Sequence, residues 1–236
     1  MWSGPRNIST ALMRSFGARA DCAVSDEPFY GCYLKQSHEP QPMAAEIIAD
    51  MDCNWESVAA AMQGDVPGGK ALWYQKHMPH HMIYEIGVGD FPDHRHAFLI
   101  REPERVIASY ANKRVTITFD DLRYDRQATF FEQVMARDGE APVVIESAAF
   151  LHDPDGHLRA LCAKLEIAWD PAMLSWRTGI HDTDGIWASH WYDRVISTTG
   201  FGKPQGAKPQ LDDDAAKLAA ECRPFYEAML AHAIKP

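Results

Sequence analysis

The stretch that decides the reading is residues 1–16, MWSGPRNISTALMRSF. Gly4-Pro5 makes a turn. Ile8, Leu12 and Phe16 then recur every four residues with Ala11 beside them, the spacing of an amphipathic helix. Asn7 or Ser9 is placed to cap that helix. Its first turn leaves backbone N–H groups unpaired, and the helix dipole adds partial positive charge there, so an anion is welcome. Arg6 adds a charge-assisted contact, and Ser9 and Thr10 add hydroxyl donors. The plainer alternative is a capped helix with an exposed arginine. The pattern GxxxxGK(S/T) is absent, with no second glycine and no lysine before the hydroxyl, so the element expected for a magnesium-bound nucleoside triphosphate is lacking. Only Met1-Trp2 is left of the strand that should feed this loop. Strands usually run about five or six residues, so upstream residues are expected to be missing and the first strand truncated.

Working outward, four short apolar runs follow at Ala23-Val24, Ala71 to Tyr74, Ala97 to Ile100 and Val143 to Ile145. Runs of this kind fit strands buried on both faces of a parallel sheet. Helical patterns fall between and after them: Glu104 to Asn112 behind Pro103, Leu158 to Leu165, and Asp212 to Ala233. The last has an acidic first turn that suits the helix dipole, and Pro224 is predicted to break or kink it. Alternating strand and helix predict an α/β fold, three layers α/β/α around a central parallel sheet. No repeat, low-complexity tract or long linker divides the chain, so a single domain over 1–236 is expected.

The 236 residues are 46% hydrophobic and 24% charged, the make-up of an ordinary globular protein, with a formal net charge of −10. That charge excludes a protein that coats nucleic acid by general electrostatics. It leaves room for an anionic small ligand in an arginine-lined cleft. The five cysteines, at 22, 32, 53, 162 and 222, form no CxxC pair and no disulfide framework. With no secretory leader pattern and no membrane-length apolar run, a cytoplasmic protein without a membrane partner is expected. The oligomeric state is not readable.

A second cluster lies in residues 96–110, HAFLIREPERVIASY. Arg101 ends a buried strand, Pro103 precedes a helix, and Ser109 falls about two turns into it. The carboxyl end of a parallel strand faces the crevice where α/β sheets bind ligands. The alternative pairs Arg101 with Glu102 or Glu104 and leaves Ser109 as a small packing residue.

Taken together, the two clusters resemble the sulfotransferase family that uses 3′-phosphoadenosine 5′-phosphosulfate (PAPS), which has a fold like that of P-loop NTPases. The family's strand–loop–helix PKSGTT or PRSGTT, which binds the 5′-phosphosulfate, is matched by Pro5-Arg6-Asn7-Ile8-Ser9-Thr10. Its later R-(D/N/E)-P with a serine eight residues after the arginine, which binds the 3′-phosphate, is matched by Arg101-Glu102-Pro103 and Ser109. Tyr74-Gln75-Lys76-His77-Met78-Pro79 looks like the KTHLP segment, whose histidine is the general base, with Gln75 where the lysine stands and Lys76 beside it. Residues 143–167, VVIESAAFLHDPDGHLRALCAKLEI, resemble the strand, acidic residue, D-P and helix that follow in the family. The late RKGxxGxW element is missing, and Gly200-Phe201-Gly202-Lys203 is assigned to close over a phosphate instead.

The resemblance implies sulfuryl transfer from PAPS to a small-molecule acceptor carrying a hydroxyl or amine, with no metal required. Such chemistry needs positioned groups and fixed positive charge, here Arg6, Thr10 and the loop N–H groups. A hydroxyl acceptor also needs a base. His77 is the first candidate because imidazole titrates near neutral pH. Glu27, in SDEPFY behind the Ala23-Val24 strand, is the second. His77, His80 and His81 do not make a convincing metal set, since Pro79 interrupts one helical face. Trp73, Phe29, Tyr30, Trp187, Trp191 and Tyr192 are candidates for lining an acceptor pocket, with core packing the default for each. The competing readings are a nucleotide-binding protein without turnover and a P-loop kinase or NTPase.

Overall fold

The computed structural model describes residues 1–204 and 206–236. The elements run β1 (Trp2–Ser3), α1 (Ser9–Gly17), β2 (Cys22–Asp26), α2 (Tyr30–Ser37), α3 (Ala44–Asp50), α4 (Trp55–Met62) and β3 (Leu72–Lys76). They continue with β4 (Ala97–Ile100), α5 (Pro103–Tyr110), α6 (Phe119–Leu122), α7 (Tyr124–Asp138), β5 (Val143–Glu146), α8 (Ser147–His152) and α9 (Pro154–Lys164). The last are α10 (Ala188–Trp191), α11 (Asp193–Ile196) and α12 (Asp213–Leu230). The chain divides into two compact units, each discontinuous in sequence: residues 1–9, 93–169 and 202–236 form the first, and 10–92 and 170–201 the second.

The first unit is built on a three-stranded sheet ordered β1-β4-β5. Both pairings are parallel, with Trp2 opposite Phe98 and Leu99 opposite Ile145. Every residue of β4 and β5 is buried, which is why both read as continuous apolar runs. Pro103 opens α5 at its first turn, where its missing N–H costs nothing. Val106, Ile107 and Tyr110 then turn inward at helical spacing. From α7, the buried Gln127 side-chain amide donates to the carbonyls of Trp2 (3.2 Å) and Leu99 (3.0 Å), joining the helix to the first and middle strands.

The second unit has a two-stranded parallel sheet in which Asp26 of β2 stands opposite Lys76 of β3. Leu12, Met13 and Phe16 of α1 are buried, and Phe16 stacks on Tyr74 at 4.5 Å. All strand pairings are thus parallel, as expected of this α/β fold. They form two sheets, one in each unit, and β1, with only two residues, carries a ladder on its β4 side alone among the described residues.

Of the break or kink expected at Pro224, the break is absent: the C-terminal helix runs through it from Asp213 to Leu230. Pro224 lies on the exposed side, where water can satisfy the carbonyl that loses its N–H partner. Among the described residues, no helix is long and apolar enough to cross a membrane.

Candidate active site

In the first unit the loop after β1 turns on Arg6, whose φ of 53° is left-handed, an uncommon state for a residue with a side chain. Asn7 locks the turn. Its Nδ2 donates to the Leu99 carbonyl (3.1 Å), and its Oδ1 accepts from the Ile8 N–H (3.0 Å) and lies against the Ser147 hydroxyl. The Asn7 side chain is therefore spent on fixing the loop to β4 and α8. Its backbone and that of Ile8 lead directly into α1.

Arg6 reaches across to the second cluster: its Nε donates to Ser109 Oγ at 3.3 Å. The buried Arg101 donates from Nη1 to the Arg6 carbonyl, and Tyr124 OH anchors the Arg101 carbonyl at 2.7 Å. The two sequence motifs are one cluster in space. Glu102 and Glu104 are held by other cations, Glu102 by Arg105 and Lys208, Glu104 by Lys208 and Arg223.

In the second unit the ends of β2 and β3 carry a buried ionic cluster. Lys76, 1% exposed, places Nζ 2.9 Å from Asp26 Oδ1 and 2.7 Å from Glu27 Oε1. It also lies 2.6 Å from the Tyr192 hydroxyl and 3.2 Å from Thr10 Oγ1, one residue beyond the loop. Tyr192 donates to Asp26 and accepts from Trp187 Nε1 (3.1 Å), while Gly185 N–H donates to Asp26 Oδ2 (3.2 Å). Burial works to lower the Lys76 pKa, but Asp26 and Glu27 outweigh it and hold the ammonium above the usual lysine range. Glu27 has a left-handed backbone, φ 47°. Beneath the cluster, Arg14 of α1 pairs with Asp184 at 2.5 Å, both fully buried, and burial pushes the Asp184 carboxyl up to about 6.

His77 sits elsewhere. Side chains alternate along a strand, so Gln75 and His77 share the face opposite Lys76. Gln75 Nε2 donates to the Met62 carbonyl (2.7 Å), and Gln75 Oε1 lies 3.1 Å from His77 Nε2. The His77 ring is buried against Phe29 and Phe91. Gly200 and Phe201 pack with the 171–176 segment of the second unit, Phe201 edge-on to Trp176. Gly202 and Lys203 are exposed in the first unit. A cavity of about 320 Å³ opens in the second unit beside the end of β2, lined by Ser25, Asp26, Pro28, Met51, Val58 and Met62. Among the described residues no group of three or more His, Cys, Asp or Glu could hold a metal ion.

Parallel strands, with a tight loop leading from β1 into α1, define a P-loop-like α/β protein. The comparison with known families goes further. The chain belongs to the sulfotransferase family, whose sequence model, described as a sulfotransferase domain, matches residues 1–233. Two solved structures share the fold. The sulfotransferase domain from the curacin biosynthetic pathway aligns with a TM-score of 0.51 and 14% identity over 94% of this chain and 95% of that one. A sulfotransferase from Alicyclobacillus acidocaldarius aligns with a TM-score of 0.55 and 12% identity over 99% of this chain and 96% of its own. Curated relatives from Arabidopsis thaliana are the branched-chain-amino-acid aminotransferase-like proteins 2 and 1, 31% and 32% identical over 231 and 232 residues. The match takes in 98% of this chain but 41% of each of those proteins.

Lys76, Asp26 and His81 carry no role in the sequence reading, and Tyr192 enters it only as an aromatic. The available signal was the strand's period of two, which puts Lys76 and His77 on opposite faces.

Proposed function

We propose that this sulfotransferase moves a sulfuryl group from PAPS to a small-molecule acceptor by in-line displacement. The observation that carries the reading is the bond from Arg6 to Ser109, reinforced by Arg101 on the Arg6 carbonyl. It brings the residues matched to the 5′-phosphosulfate and 3′-phosphate motifs into one electropositive cluster. The loop N–H groups at the start of α1 and Arg6 suit the phosphosulfate, and Arg101 with Ser109 suits the 3′-phosphate.

We assign the Thr10 hydroxyl, next in sequence to Ser9, and the Lys76 ammonium bonded to it to the phosphosulfate end of the donor. A fixed cation there stabilises the charge that builds on the sulfuryl oxygens and the leaving phosphate. The acceptor forms a new bond to sulfur, the bond from sulfur to the 5′-phosphate oxygen breaks, and its electron pair leaves with the phosphate. The acceptor's proton goes to Glu27. We assign the base to Glu27 ahead of His77 because Glu27 shares Lys76 with Thr10, whereas His77 faces the other way into Phe29 and Phe91.

Sulfur-35-labelled PAPS offered with a panel of small alcohols, phenols and amines tests this. Magnesium-independent label transfer to some acceptor is expected. Donor binding without transfer to any acceptor would point to a nucleotide-binding protein without turnover.

A further inference from the structure

Glu27 has a neighbour on its other oxygen. Oε1 is held by Lys76, and Oε2 faces His81 Nε2 at 3.9 Å. His81 is 2% exposed and fixed by its neighbours. Tyr30 stacks on it at 4.5 Å and 3°, Tyr33 stacks at 5.0 Å and 23°, and His80 meets it edge-on at 4.3 Å. Its Nδ1 is buried with no hydrogen-bond partner among the described residues. Burial, with the nearby Lys76 charge, holds the ring well below the usual histidine range, so it is neutral and carries one N–H. The carboxylate facing Nε2 draws that proton to Nε2.

A separation of 3.9 Å is too long for a direct hydrogen bond. It is short enough for a single oxygen to sit about 2.8 Å from both atoms, at the apex of a triangle. A hydroxyl suits that apex. It donates its proton to Glu27 Oε2, accepts from His81 Nε2–H with one lone pair, and keeps the second lone pair for sulfur. A neutral amine has one lone pair, and a hydrogen bond from His81 would occupy the pair needed for attack.

We propose that His81 orients the acceptor, its Nε2–H gripping the nucleophilic oxygen while Glu27 takes the proton, and that this pair selects alcohols or phenols over amines. The inference rests on the sulfuryl-transfer reading with Glu27 as base. In the step itself an oxygen–sulfur bond forms, the sulfur–phosphate oxygen bond breaks, the electron pair departs on the phosphate, and the proton ends on Glu27. His81 gains and loses none, which makes it a positioning residue.

The test compares acceptors of matched carbon skeleton, 1-hexanol with hexylamine and phenol with aniline. Wild type, His81→Phe and His81→Gln are assayed, and binding of 3′-phosphoadenosine 5′-phosphate is measured in each. Phe keeps the stacked ring and removes the N–H, whereas Gln places an amide N–H near the Nε2 position. The wild type should favour the hydroxyl partner. His81→Phe should lower kcat/KM for hydroxyls about twofold to tenfold, the worth of one neutral hydrogen bond to the nucleophile, and should narrow the hydroxyl-to-amine ratio. Nucleotide affinity should hold, and His81→Gln should restore part of the loss. Amines turned over as fast as hydroxyls, or an unchanged ratio in His81→Phe, would overturn the role of His81 and leave the sulfuryl-transfer reading standing. A wild type that transfers label to nothing would overturn both. Should His81→Phe lose nucleotide binding through misfolding, His81→Met, which also lacks the N–H, replaces it in the same comparison.

Discussion

Arg6 and Ser109, 103 residues apart in sequence, are joined by a hydrogen bond of 3.3 Å from the arginine Nε to the serine hydroxyl. The link joins the loop after β1 to the last turn of α5, with Arg101 supporting the Arg6 carbonyl. Both Arg6 and Glu27 hold left-handed backbones at the ends of strands, and such strain gathers at functional positions.

Arg101→Ala should weaken binding of 3′-phosphoadenosine 5′-phosphate about tenfold to a hundredfold, the worth of a charge-assisted hydrogen bond of about 1.5–3 kcal/mol. Affinity for the analogue without the 3′-phosphate should change little. Ser109→Ala should move affinities in the same direction by less. Competition binding with the two nucleotides reads both effects.

Lys76→Met should leave Asp26 and Glu27 as buried carboxylates without their shared cation. Breaking a buried pair from one side costs about 3–5 kcal/mol, which urea denaturation would register. Adding Asp26→Asn should recover part of that stability without restoring turnover. Recovery of both would reduce Lys76 to a structural role.

Glu27→Gln should lower kcat roughly 10²- to 10⁴-fold, the range for loss of a general base, with nucleotide affinity retained. His77→Ala should chiefly cost stability, because its ring fills space between Phe29 and Phe91. Steady-state kinetics beside thermal denaturation separate the two. A larger kcat loss in His77→Ala than in Glu27→Gln would return the base to His77.

Asp184 sets a pH dependence of stability. Its folded-state pKa is raised from 3.8 to about 6 by burial, so the folded chain binds this proton more tightly than the unfolded chain. Stability from this group is greatest below pH 3.8, falls as pH rises through that window, and levels off above about 6. Melting curves between pH 4 and 7 should show that downward slope in the wild type. The slope should be flatter in Asp184→Asn, whatever the absolute cost of leaving Arg14 unpaired.

Much of the scaffold was legible because it follows local rules. β4 and β5 are unbroken apolar runs, and Pro103 marks the start of α5. The helix α7 was not legible because Arg123, the residue before it, is left-handed and supplies no side-chain cap, and its buried face includes Tyr124 and Gln127. The turn before α1 was readable from Gly4 and Pro5, but the purpose of Asn7 was not, since its partners Leu99 and Ser147 lie in distant strands and helices. The ionic cluster was hidden for the same reason. Lys76 meets Asp26 across 50 residues and Tyr192 across 116, and only the strand register brings the first pair together. Sequence order favoured His77 because imidazole suits a base, while strand alternation turned Lys76 toward Thr10.

The most direct test is titration calorimetry of 3′-phosphoadenosine 5′-phosphate into the folded protein without magnesium. The account predicts saturable one-site binding that weakens sharply in Arg101→Ala and when the ligand lacks its 3′-phosphate. No heat of binding from the wild type, or equal affinity for the two nucleotides, would contradict it.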